Sequence, residues 1–92
     1  MGRSKNEQEF LNLILKYMPS DRVLENEMLS RHTSFHIGGP ADFLVLPSSF
    51  DDVAVILTLS RQLGIPLTVL GRGSNVLVCD NGIRGIVMKV DR

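Results

Sequence analysis

The sequence predicts an α/β (α+β) chain: a small mixed sheet with a βαβ unit and an amino-terminal helix. Two stretches, at 4–18 and 49–63, place apolar residues at helical spacing behind polar capping residues. Short, nearly continuous apolar runs at 43–46 and 65–70 read as strands. The second helical stretch lies between those runs. Strand, helix, strand is the order of a right-handed βαβ unit with a parallel pair.

The first helix begins at Ser4-Lys5-Asn6-Glu7, which can form a capping box. Phe10, Leu13, Ile14, Tyr17 and Met18 then recur at helical spacing as a packing face, and Pro19 ends the pattern. Residues 20–30 read as an irregular connector, with Asp21, Glu25 and Glu27 as solvated charges. Phe43-Leu44-Val45-Leu46 is apolar at every position, as in a strand covered on both faces. Ser49-Phe50-Asp51-Asp52 repeats the capping logic, its two acids favourably placed at the positive helix end. Val53, Ile56, Leu57 and Leu63 line one side of that helix, and Gly64 stops it. Residues 67–70, 76–78 and 86–90 read as strands, the last two flanking a turn at Asp80-Asn81-Gly82.

Composition narrows the function classes. Ten basic and ten acidic residues cancel, so nothing suggests nucleic acid as a partner. No apolar stretch approaches the ~20 residues of a membrane span, so no membrane partner is expected. Met1-Gly2-Arg3-Ser4 shows no signal-peptide hydrophobic region, and one cysteine, Cys79, excludes an internal disulfide framework. A cytoplasmic location is the default expectation. His32 and His36 lie four apart, but their setting reads as extended chain and no cysteine or carboxylate cluster joins them, so no metal is expected. Cys79 reads as a small half-buried hydrophobe.

The candidate site is Leu70-Gly71-Arg72-Gly73-Ser74-Asn75. Glycines at alternate positions let the backbone turn its amides inward with no Cβ in the way, forming a concave nest for a phosphate oxygen. Ser74 and Asn75 can add donors, and Arg72 adds a permanent charge. A Walker A loop needs a lysine that is absent. The dinucleotide fingerprint needs a third glycine where Val76 stands, opening a helix rather than a strand. The competing reading is a tight strand–strand turn that uses glycine only for its geometry.

Two further blocks stand in order with that loop. Thr33-Ser34-Phe35-His36-Ile37-Gly38-Gly39-Pro40-Ala41-Asp42 precedes it, and Gly82-Ile83-Arg84-Gly85-Ile86-Val87 follows it. From about Leu29 to Val90 the chain resembles the UDP-N-acetylenolpyruvoylglucosamine reductase family, flavin enzymes of peptidoglycan precursor synthesis. The resemblance implies the first half of a vanillyl-alcohol-oxidase-type FAD-binding domain. It implies that Gly71, Gly73, Ser74 and Asn75 lie against the FAD pyrophosphate. Arg72 occupies a variable position of the motif, and His36 stands where the family often has Arg or Lys.

The family's enzymes are longer, with the rest of the FAD lobe and a substrate domain beyond this stretch. The resemblance thus implies residues 1–28 as amino-terminal helix and connector and 29–92 as a partial FAD-binding domain. It implies FAD as cofactor, NADPH as co-substrate and a UDP-sugar substrate in the complete enzyme. The proton-donating serine and its assisting arginine and glutamate belong to the remaining parts, so no catalytic residue is assigned here. Self-association or marginal stability is expected of such a piece. The alternative is a stand-alone phosphate-binding or interaction module without catalysis.

Overall fold

The computed structural model describes residues 4–32, 39–71 and 83–90. Among them are helices α1 (Lys5–Ile14) and α2 (Phe50–Leu63) and strands β1 (Val23–Met28), β2 (Pro40–Val45), β3 (Leu67–Gly71) and β4 (Ile83–Val90). The strands form one mixed sheet in the order β1-β2-β4-β3. β1 runs antiparallel to β2, while β4 is parallel to both β2 and β3. The small mixed α+β architecture therefore forms. The parallel pair differs from expectation, because β4 lies between the two strands that α2 connects.

Both helix starts follow from their capping residues. The Ser4 hydroxyl accepts from Glu7 N–H at 3.2 Å, and the Glu7 carboxylate accepts from Ser4 N–H at 3.0 Å, completing the box. At α2 the Ser49 hydroxyl accepts from Asp52 N–H at 3.2 Å. Asp52 is one methylene shorter than Glu, and its carboxylate instead accepts from Ser48 N–H and Ser48 Oγ, both at 2.9 Å. Gly64 ends α2 with φ of 65°. Asn6 Nδ2 donates to Leu63 O at 2.8 Å, so the start of α1 satisfies a carbonyl at the end of α2.

The core has two layers. Phe10, Ile14 and Met18 from the first helical stretch and Ile56 and Leu59 from α2 cover one sheet face, meeting Phe43, Val45, Ile86 and Met88. Phe10 and Phe43 stack edge to face with ring centroids 5.0 Å apart. On the opposite face Leu29, Ala41, Leu44, Leu70 and Val87 form a second buried cluster. Successive strand residues point to opposite faces, so the unbroken apolar run of β2 is what a doubly covered strand requires.

Several expectations are corrected. The connector at 20–30 is a 3₁₀ turn (Ser20–Arg22), then β1, then a second 3₁₀ turn (Leu29–His32). Pairing with β2 overrides the polar local sequence of β1. Glu27 is not simply solvated, since it bonds His32. His32 sits in the second 3₁₀ turn rather than in extended chain. Tyr17 is 62% exposed and Leu57 is 43% exposed; α2 buries Ile56, Leu59 and Ser60 instead. Ser60 can turn inward because its hydroxyl donates to Ile65 O at 2.7 Å.

A β-bulge fixes the register at the start of β4. Ala41 faces Ile83 and Phe43 faces Ile86, so two steps along β2 match three along β4. Within the bulge Gly85 has φ of 90° and donates its N–H to Asp42 Oδ2 at 2.8 Å. A Cβ on Gly85 would lie 2.5 Å from Pro66 O. Close approach of the segment before β3 is therefore what this position requires.

Candidate functional site

β2, β3 and β4 are mutually parallel, so their carboxyl ends lie along one edge. That edge is where α/β sheets place ligands. Leu70 is level with Lys89, and Gly71 with Val90. The sequence-predicted loop thus departs from this edge: Leu70 and Gly71 end β3 there. The Leu70 side chain is buried in the second core cluster. Arg72, Gly73, Ser74 and Asn75 lie outside the described residues, as do Val76 to Val78, the Asp80-Asn81-Gly82 turn, His36 and Cys79.

On the helix side of the edge is a cleft of about 660 Å³ lined by Arg22, Ser48, Ser49, Phe50, Val53 and Val90. Arg22 Nε donates to Leu46 O at 2.6 Å and Nη2 to Pro47 O at 3.4 Å, fixing the chain as it leaves β2. The start of α2 faces the same cleft, yet its first turn already carries Asp51 and Asp52. Those carboxylates answer the positive helix end, which makes this side a poor place for a second anion.

The other face of the sheet carries a charge cluster that sequence reasoning did not assemble, reaching from Glu27, level with Ala41, to Lys89 near the end of β4. His32 Nε2 lies 3.0 Å from Glu27 Oε2, and His32 Nδ1 lies 3.4 Å from Lys89 Nζ. Arg31 Nη1 lies 3.9 Å from the same Glu27 oxygen. Lysine has only donors, so Nδ1 accepts from it and Nε2–H donates to the carboxylate. The one available signal was Lys89 itself, a charge inside an otherwise apolar strand run. Arg22 gave none beyond its type. Among the described residues no group of three His, Cys, Asp or Glu side chains could hold a metal ion, and no helix is long and apolar enough to cross a membrane.

No protein-family model matches the chain. Relatives by sequence are nevertheless clear. Over 82 residues, 89% of this chain, it is 43% identical to a protein of Clostridium tetani named UDP-N-acetylenolpyruvoylglucosamine reductase. The protein of that name from Bacillus subtilis is 51% identical over 76 residues, 83% of this chain. The one from Carboxydothermus hydrogenoformans is 38% identical over all 92 residues. The chain resembles the UDP-N-acetylenolpyruvoylglucosamine reductases. It spans about a quarter of their length, with 27%, 25% and 29% of the three relatives covered. These UDP-N-acetylenolpyruvoylglucosamine reductases are oxidoreductases by name, and their likeness to this chain takes in the candidate edge as well as the core. Gly71, which has no Cβ, stands at the carboxyl end of a parallel strand, a place that suits a phosphate group.

Proposed function

We propose that this chain belongs to the FAD-binding lobe of a flavoenzyme that reduces UDP-N-acetylglucosamine enolpyruvate to UDP-N-acetylmuramate with NADPH. The lobe would be of the vanillyl-alcohol-oxidase type and the enzyme cytoplasmic, working in peptidoglycan precursor synthesis. The observation that carries this reading is identity of 38–51% to reductases of that name, with the glycine loop leaving the carboxyl edge of the sheet. Bound flavin would supply hydride transfer. The residues of this chain would bind and orient the cofactor: Gly71, Arg72, Gly73, Ser74 and Asn75 around its pyrophosphate, and Leu70 through its backbone, since its side chain is committed to the core. Protonation of the carbanion left next to the carbon that receives hydride needs a donor that this chain is not assigned.

The test is a fluorescence titration of the chain with FAD beside a Gly73→Val variant. The expected outcome is saturable binding that the variant loses, because a branched side chain fills the nest. Binding by neither protein, with both folded by circular dichroism, would overturn the cradle as a property of this chain.

A further inference from the structure

We propose that the outer face of α2 is a docking surface for a second copy of this chain, the two helices packing antiparallel about a twofold axis.

The solvent side of this helix is short of charge. Ile56, Leu59 and Ser60 are buried, so the opposite face carries Phe50, Ala54, Leu57, Thr58 and Arg61 at helical spacing. All five are exposed. A surface helix normally turns charged and polar residues outward. Here the outward line bears one charge, and Phe50 at its start is 88% exposed.

Single exposed apolar side chains are ordinary, but these are grouped. Of the six large hydrophobics exposed among the described residues, four border this face. Phe50 and Leu57 stand on the helix itself. Tyr17 shares a groove of about 280 Å³ with Ala54, Val55, Thr58 and Gln62 on one flank. Val69 is level with Met88 of the helix-covered core, so it rises on the α2 side of the sheet, at the β3 edge. A second groove of about 330 Å³, lined by Leu57, Thr58, Arg61 and Leu67, runs between α2 and that edge. A ridge flanked by two grooves is the element with which helices interlock.

The charges select the occupant. Asp51 and Arg61 are the exposed charged residues of α2, ten positions apart, about 15 Å along the axis. Among the described residues neither side chain has an ion-pair partner. A helix face with an acid at one end and a base at the other is complementary to itself reversed. In an antiparallel pair centred level with Ile56, Asp51 of each copy faces Arg61 of the other, and Ala54 faces Thr58. One register thus puts both ion pairs at the ends and the small residues at the crossing, where the axes must approach closely. It also sets Phe50 of one copy level with Gln62 of the other, beside the groove that Tyr17 borders. The face is about 21 Å long, so the contact is small and the pair reversible.

The experiment is sedimentation equilibrium of the wild-type chain up to about 0.5 mM, enough to reveal even a weak pair. A monomer–dimer equilibrium is expected. Ala54→Glu places a charge at the crossing, on an exposed site, and should leave a monomer at every concentration with the circular dichroism of the wild type. Thr58→Lys serves as a second variant should the glutamate disturb folding. Arg61→Glu should weaken the dimer about tenfold or more, since the twofold axis turns two attractions into two repulsions. Adding Asp51→Lys to it reverses both charges and should restore most of the affinity. A wild-type monomer throughout would overturn the second copy as occupant, whether the face is then covered by the remainder of a longer chain or left to solvent. A dimer that survives both Ala54→Glu and Thr58→Lys would overturn this face as the interface. A dimer weakened by Arg61→Glu and not restored by the double reversal would overturn the antiparallel register.

Discussion

Two glycines show how the same residue type meets different demands. Gly64 has φ of 65° with nothing within 4 Å of the point where a Cβ would stand, so only the backbone conformation resists a side chain. Gly85 has φ of 90° and would place Cβ 2.5 Å from a backbone oxygen of Pro66. That oxygen also accepts from Ile86 N–H at 2.9 Å and cannot retreat without breaking the register of β4. Gly64→Ala should therefore cost about 1 kcal/mol. Gly85→Ala should cost about 3 kcal/mol or more, as left-handed strain and overpacking add. Urea denaturation of the two variants measures the difference, and equal costs would show that the bulge relaxes. The Asp42 carboxylate bonds both Gly85 N–H and Arg84 Nε at 3.2 Å, so the bulge is held by a side chain where the ladder is interrupted.

At the level of elements, the helices are the most local structures and the most predictable ones. Ser4 and Ser49 each satisfy an amide three residues on. Replacing either with alanine should cost about 1 kcal/mol, read as a lower melting temperature by circular dichroism. These caps and the glycine stop at α2 were legible in the sequence because every partner lies within a few residues. The apolar strands β2, β3 and β4 were legible from their runs. β1 was not, because Glu25, Asn26 and Glu27 resemble a loop and only pairing with β2 makes them a strand. The face of α2 was misjudged at Leu57, since the choice between Leu57 and Leu59 is made by the sheet it packs on. The glycine loop stood out as a candidate because its residues are consecutive, whereas His32 and Lys89, which meet in the fold, are 57 positions apart and no local pattern joins them.

For the whole molecule, one core binds the amino-terminal helix to the sheet. Phe10 is fully buried against Phe43, so Phe10→Ala should cost about 3–5 kcal/mol. A chain of 92 residues has roughly 5–14 kcal/mol of stability in total. The variant should melt far below the wild type, with helix and sheet signals lost together in thermal scans; a sheet that outlasts the helix would show two independent units. The strand order carries a different consequence, one of timing. β4 is the last of the four strands to leave the ribosome, yet it sits between β2 and β3. Until residues 83–90 emerge, β3 has no neighbour among the described strands, while β1 and β2 can already pair. The nascent chain thus holds an exposed apolar strand and half a core until its final described segment inserts. Its safe passage through synthesis is governed by how quickly the middle of the sheet is filled.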